Sequence, residues 1–336
     1  MNFLKRLLKW MLILIVLLTA LYFVGPNPST PTYTTTLPVV PADAAALENY
    51  ILQNEAQRKV KPENEARIIW QNDSLKQKTE YAIVYLHGFS ASQEEGDPVH
   101  TAIAKKFGCN LYLARLAEHG IDTSDAMLHL TAEKYWETVK QAYAIGKQIG
   151  NKVIVMGTST GGSNALQLAA NYPEIASIIL LSPNIAINDP NAWLANNPWG
   201  LQIARLVKGS DYQITSDQRD IYKAHWYSKY RLEAIVNLQE YLETAMIPET
   251  FSKVKQPTLM LYYYKDEQHQ DNVVKVPAML KMFDELGTAV EQKRKVAMPN
   301  TGDHVLGSYI KSNDYQGVEV EITKFMTDVL KIQLQP

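Results

Sequence analysis

Short apolar runs alternate along this chain with segments whose apolar residues recur every three or four positions, and no other feature constrains the fold as tightly. Tyr81 to Leu86 ("YAIVYL"), Val153 to Met156, Ile175 to Leu181 and Pro257 to Tyr264 read as strands. So do Ala66 to Trp70, Asn110 to Ala114 and Lys293 to Met298. Between them, Thr131 to Ile149 places Tyr135, Trp136, Val139, Ala142 and Tyr143 at helical spacing, and residues 97–107 are compatible with a helix. Gly161 to Asn171 and Val274 to Leu286 read as helices as well, and Val318, Ile322, Phe325, Met326, Val329 and Leu330 mark a C-terminal amphipathic helix. Strands that are apolar on both faces must be covered on both. The pattern therefore predicts an α/β domain with a mostly parallel central sheet and helices on either side.

Residues 186–250 break the rhythm. They hold Trp193, Trp199 and Trp226, look helical and contain no convincing strand, so they read as an insertion placed to serve as a lid. At the other end, Lys5, Arg6 and Lys9 precede Trp10 to Val24, fifteen residues without a charge, and Gly25-Pro26 ends the run. With Leu7 and Leu8 added and Lys9 snorkelling, the stretch reaches a short membrane span, for which roughly 17–25 residues are needed. A small-x-small cleavage site is not obvious, which favours an uncleaved anchor over a removed signal peptide. Either way the remainder is exported, since the positive charges stay inside. Residues 25–42, rich in Pro and Thr, read as an extended spacer that cannot pack a core, and folding is expected from Asp43, an N-cap for Ala44 to Arg58. The expected organisation is thus anchor 1–24, linker 25–42 and one domain over 43–336.

The formal net charge is −2, and the apolar run's basic flank leaves the remainder more acidic still, so a nucleic-acid partner is not expected. Cys109 is the only cysteine, which excludes an internal disulfide and a thiolate metal cluster.

The segment "VIVMGTSTGGSNAL", residues 153–166, admits three readings: a reactive serine, a phosphate cradle, or a plain strand-to-helix turn with a Ser/Thr cap. A P-loop needs a lysine where Ser163 and Asn164 follow Gly162, so the cradle falls away. G-x-S-x-G alone would arise by composition in about one chain of this length in ten. Its position between a buried strand and a helix is what makes Ser159 a candidate nucleophile, because a sharp turn there lifts the side chain above the sheet. A serine hydroxyl then needs a base, an orienting acid and an oxyanion site. His304 follows the last strand in "MPNTGDHVLG", and Asp266 follows "PTLMLYYYK". The backbone N–H groups of Phe89, after "YLHG", and of Thr160 are the candidate oxyanion donors.

Taken together, "YLHGFSAS", "LYLARLAEHG", the elbow and "GDHV" resemble, in order, the motifs of α/β-hydrolases of the carboxylesterase and monoacylglycerol-lipase type, over about residues 65–332. Glu118 stands where the family has glycine in R-L-x-G-H-G, and Thr158 where many lipases have histidine. The resemblance implies the order nucleophile, acid, base seen in Ser159, Asp266 and His304, a carboxylic ester substrate, and no metal or organic cofactor.

Rival residues are weighed beside these. Asp271 in "QDNVV" also fits the family's pattern after the strand, but Asp266 stands closer to the strand end and is preferred; Asp303 is a sequence neighbour of the base and expected to point elsewhere. His87 and His119 read as packed loop residues, and the cluster Asp266, Glu267, His269, Asp271 as a solvated turn rather than a metal site. The aromatic residues Trp193, Trp199, Tyr222, Trp226 and Tyr227 either line an acyl pocket or pack the insertion onto the body. The same triad would equally serve a peptidase or an acyltransferase, and a non-catalytic binding protein could keep the fold.

Overall fold

The computed structural model describes residues 2–335. Nine strands and eleven α-helices follow one another in it. Seven strands form the central sheet: β1 (Arg67–Ile69), β2 (Thr79–Leu86), β3 (Asn110–Leu113), β4 (Gly150–Thr158), β5 (Ser177–Leu181), β8 (Thr258–Tyr262) and β9 (Lys293–Ala297). Their spatial order is β1-β3-β2-β4-β5-β8-β9, and every pairing is parallel except the edge pair β1–β3. The period-2 geometry of a strand explains why β2 is apolar throughout. Ala82, Val84 and Leu86 point into one core, while Ile83 and Tyr85 point into the other.

The first core is roofed by α4 (Ala132–Ile149) and α5 (Thr160–Asn171), the second by α3 (Val99–Lys106) and α11 (Tyr315–Asp328). Polar residues cap these helices at the expected places. Asp43 accepts from the Ala46 N–H at the start of α2 (Ala44–Ala56), and Thr131 accepts from the Lys134 N–H at the start of α4. α10 (Val276–Glu285) begins with Pro277 in its first turn, where its missing N–H costs nothing.

The insertion between β5 and β8 departs from the all-helical expectation. It holds α6 (Gly200–Lys208), α7 (Asp220–His225), α8 (Leu232–Ala245) and α9 (Pro248–Lys253). It also contains a two-stranded antiparallel ribbon, β6 (Tyr212–Ile214) with β7 (Lys229–Arg231). Three-residue strands carry too little alternation to stand out in a sequence. Nor is the insertion a detached flap, for Ala234, Leu238, Tyr241 and Leu242 of α8 join the first core.

The Pro/Thr-rich segment 25–42 is extended, as its composition demands, but it is not a free spacer. Val40 is buried and Tyr33 and Leu37 pack on the first core. The Trp136 indole donates to the Thr34 carbonyl at 2.7 Å, and the Tyr172 hydroxyl donates to that of Thr35 at 2.8 Å. The buried Lys140 ammonium donates to Thr34 Oγ1 at 2.6 Å and the Thr36 carbonyl at 3.0 Å. Prolines keep the backbone extended, and the apolar residues between them give it something to bury. The segment is a strap.

The first helix, α1 (Asn2–Phe23), stands away from the body, with mean hydropathy 1.9 over its most apolar window. At 1.5 Å per residue its 22 residues span about 33 Å, close to the ~30 Å of a bilayer's hydrocarbon layer. Its far end meets the insertion. The Trp199 indole donates to the Leu21 carbonyl at 3.1 Å, and the Trp199 backbone N–H to the Pro26 carbonyl at 3.0 Å.

Candidate active site

Ser159 occupies the single-residue turn between β4 and α5, with φ 54° and ψ −121°. A side chain in this region costs on the order of 1–3 kcal/mol and persists only where the surroundings enforce it. Here they do. The Ser159 N–H donates to the Leu181 carbonyl at 2.8 Å, and its own carbonyl accepts from Gly162, Ser163 and Asn184 N–H groups. Close approach explains the flanking glycines. A Cβ on Gly161 would collide with the Leu86 carbonyl of the neighbouring strand, and one on Gly157 with the Gly161 backbone. Thr158, at the position where many lipases have histidine, shares a 2.8 Å hydrogen bond between its hydroxyl and that of Tyr85.

His304 follows β9 on a loop and is buried. Its Nδ1–H donates to Asp271 Oδ2 at 2.6 Å, while Asp271 Oδ1 accepts from the Val273 and Val274 N–H groups at 2.9 and 3.0 Å. Burial alone would push the His304 pKa down. The charge and hydrogen bond of Asp271 outweigh it, and the imidazole is held above its ordinary value. Burial likewise opposes the ionised Asp271, but His304 and the two backbone N–H groups keep this carboxyl below the usual range. His304 Nε2 has no partner among the described residues.

The structure places Asp271, and not the expected Asp266, beside the imidazole. Asp266 is not at His304: it lies in an exposed turn, where its Oδ1 accepts from His269 Nδ1–H at 2.8 Å and from the Gln268 and His269 N–H groups. The reason is backbone path. β8 ends at Tyr262, and residues 264–270 then make an excursion closed by a bridge between Tyr264 and Gln270. The chain returns so that the Asp271 N–H donates to the Tyr263 carbonyl at 3.1 Å. In space, therefore, Asp271 sits at the strand end, though Asp266 is nearer along the chain. Asp303 turns away from the imidazole, binding the Val305 N–H and the Lys311 ammonium.

Two buried histidines hold the loop after β2. His87 Nε2 accepts from the Leu116 N–H and its Nδ1–H donates to the Gly88 carbonyl; His119 Nε2 accepts from the Ser90 N–H at 3.0 Å. Burial lowers His87 to about 4 and His119 well below its ordinary value, so both stay neutral. Among the described residues the Phe89 and Thr160 N–H groups have no protein acceptor.

Ser159, His304, Phe89 and Asp303 open onto one cavity of about 450 Å³, whose outer wall comes from the insertion. Tyr222 and Trp226 stack there at 5.1 Å between ring centroids, and Tyr230, Ile235 and Leu238 complete the apolar side. Trp193 and Trp199 lie elsewhere, and Tyr227 donates its hydroxyl to the Ile121 carbonyl at 2.8 Å. One residue of the cavity is not foreshadowed by any motif. Glu95, in the short 3₁₀ turn Gln93–Gly96, is buried and its Oε2 accepts from the Gly88 N–H. The only signal in the sequence is an acidic pair after "HGFSAS", which does not say which member turns inward.

A parallel sheet with helices on both faces, a strained serine after its central strand and a carboxylate-bound histidine after its last define the α/β-hydrolase class, lipase- and esterase-like. The model of one family, described as serine aminopeptidase, S33, matches residues 77–299, and the chain belongs to that family. It is also similar to a thermostable monoacylglycerol lipase of Bacillus sp. (strain H-257), 32% identical over 131 residues, 38% of this chain. The match spans 50% of that relative's length. Among solved structures, the fold is shared with one described under LipS and LipT, two metagenome-derived lipolytic enzymes, at TM-score 0.63 and 20% identity over 80% of this chain and 99% of the other. It is shared too with a Paleococcus ferrophilus monoacylglycerol lipase at TM-score 0.55 and 13% identity, over 78% of this chain and 98% of that one.

Proposed function

We propose that this hydrolase cleaves carboxylic esters through an acyl-enzyme on Ser159, with His304 as base and Asp271 as its orienting acid. The observation that carries the reading is the His304–Asp271 pair at 2.6 Å, which leaves Nε2 without a partner in the cavity that Ser159 lines. Ser159 Oγ attacks the carbonyl carbon as His304 Nε2 takes its proton. The Phe89 and Thr160 N–H groups, free of protein acceptors, receive the developing oxyanion. The imidazolium, stabilised by Asp271, then returns the proton to the leaving alcohol, and a water activated in the same way releases the acid.

The mixed cavity wall, with stacked Tyr222 and Trp226 and aliphatic Ile235 and Leu238, suits an apolar acyl chain. The family's description as aminopeptidases keeps an amide substrate as the second reading. The test is labelling with a fluorophosphonate, paired with turnover of p-nitrophenyl esters and aminoacyl amides. Labelling that vanishes in Ser159→Ala, with ester turnover, is the expected result. A folded wild type that does not label would overturn the serine-hydrolase reading, and turnover of amides alone would favour the peptidase.

We further propose that α1 anchors the body on the exported side of a membrane, since its apolar residues are exposed along its length. Carbonate-washed membranes should retain the full chain, and release would speak for a removed signal.

A further inference from the structure

The buried carboxyl of Glu95 has no lysine or arginine within ion-pair distance among the described residues. It stands against the residue that aims the Phe89 N–H. Its Oε2 takes the Gly88 N–H, and Gly88 directly precedes Phe89. The point where a Cβ on Gly88 would sit lies 2.8 and 2.9 Å from the two Glu95 oxygens and 2.9 Å from Ser159 Cβ. Carboxyl, oxyanion loop and nucleophile thus meet at one place. A loop staple alone would be served by glutamine, whose side-chain oxygen accepts the same N–H without the cost of a buried charge. An ionisable carboxyl at this place needs its own explanation.

We propose that Glu95 is a positioning residue with two separable actions: its oxygen fixes the Gly88–Phe89 oxyanion loop, and its charge supports the protonated form of His304. This inference rests on the ester-hydrolase reading above. Glu95 and His304 line the same cavity, and burial pushes the Glu95 carboxyl up to about 7, against the Gly88 N–H, the His304 charge and Trp226. The groups that share its cavity are Tyr222 on α7, Trp226 just after it, and Asp303 and His304 on the last loop, while Tyr85 on β2 and Tyr135 on α4 feel its charge. Of these, His304 alone gains a positive charge during catalysis, and Asp303 is offset by Lys311 at 3.2 Å.

The experiment compares kcat and KM of the full chain, Glu95→Gln and Glu95→Ala for a short p-nitrophenyl ester from pH 5 to 9, read at the reporter's isosbestic wavelength. Glu95→Ala should lose kcat at every pH by about tenfold or more with KM little changed, as expected when an oxyanion donor is misplaced. Glu95→Gln should recover most of that kcat and move the acid limb of kcat/KM down by roughly half a pH unit or more, because the imidazolium has lost a nearby negative charge. A Glu95→Gln limb superimposed on that of the wild type overturns the proposal, as does a folded Glu95→Ala with unchanged kcat. If Glu95→Ala loses cooperative unfolding, the Glu95→Gln profile decides alone. A wild type that neither labels nor turns over ester would instead defeat the functional reading on which this one stands.

Discussion

Asp271 and Asp266 differ by five positions and by everything that matters for a triad. One is fully buried with both oxygens engaged; the other is half exposed beside His269. Asp271→Asn should lower kcat/KM by about 10⁴-fold, the cost of presenting the wrong imidazole tautomer. Asp266→Asn should stay within about threefold in the same ester assay. His304 is held above its ordinary value of 6.5, and the proposed mechanism needs its neutral form. Activity should therefore fall with acid through a limb lying above pH 6.5, visible in a kcat/KM profile. Glu95 carries a stability consequence with the opposite sign to a salt-bridged carboxylate. Its folded pKa, about 7, lies above the ordinary 4.5, so the folded state holds the extra proton and loses stability as pH rises through that window. Glu95→Gln should raise Tm at pH 8 and change it little at pH 4, as thermal unfolding at the two pH values would show.

At the scale of elements, the sheet was legible because its inner strands are short apolar runs buried on both faces, set between longer segments of helical period. Each sheet strand lies where the apolar runs place it, with ends differing by a few residues. The elbow was legible for a related reason: few chains place Gly-Ser-Gly spacing directly between a buried strand and a helix. What stayed hidden depended on contacts distant in sequence. The 264–270 excursion that substitutes Asp271 for Asp266 is closed by one backbone bridge. Ribbon strands of three residues leave no period to detect, and Pro content overshadowed Tyr33, Leu37 and Val40 in the strap. The strap makes its own prediction. Lys140→Ala removes the ammonium's three partners, the Thr34 hydroxyl, the Thr36 carbonyl and the Glu137 carboxylate, and should cost about 1–3 kcal/mol. The measurable result is a lower Tm together with faster proteolytic cleavage within residues 31–41.

Across the whole molecule, the body holds the N-terminal chain at two successive points, one at the end of α1 and one in the strap. Trp199 of the insertion grips the Leu21 and Pro26 carbonyls, and some ten residues later Trp136, Lys140 and Tyr172 hold Thr34 to Thr36. This order has a mechanical consequence. Tension on α1 reaches Trp199 first, then the strap, and only afterwards the sheet. Each fastening consists of a few separate hydrogen bonds rather than a strand pairing, so each gives way before the sheet does. The β2–β4–β5 strands, paired in parallel and buried, would have to shear together. A force ramp applied through the N-terminus should therefore give two small yields before the large one, and Trp199→Ala, which keeps the backbone bond to Pro26 but loses the indole bond to Leu21, should lower the force of the first.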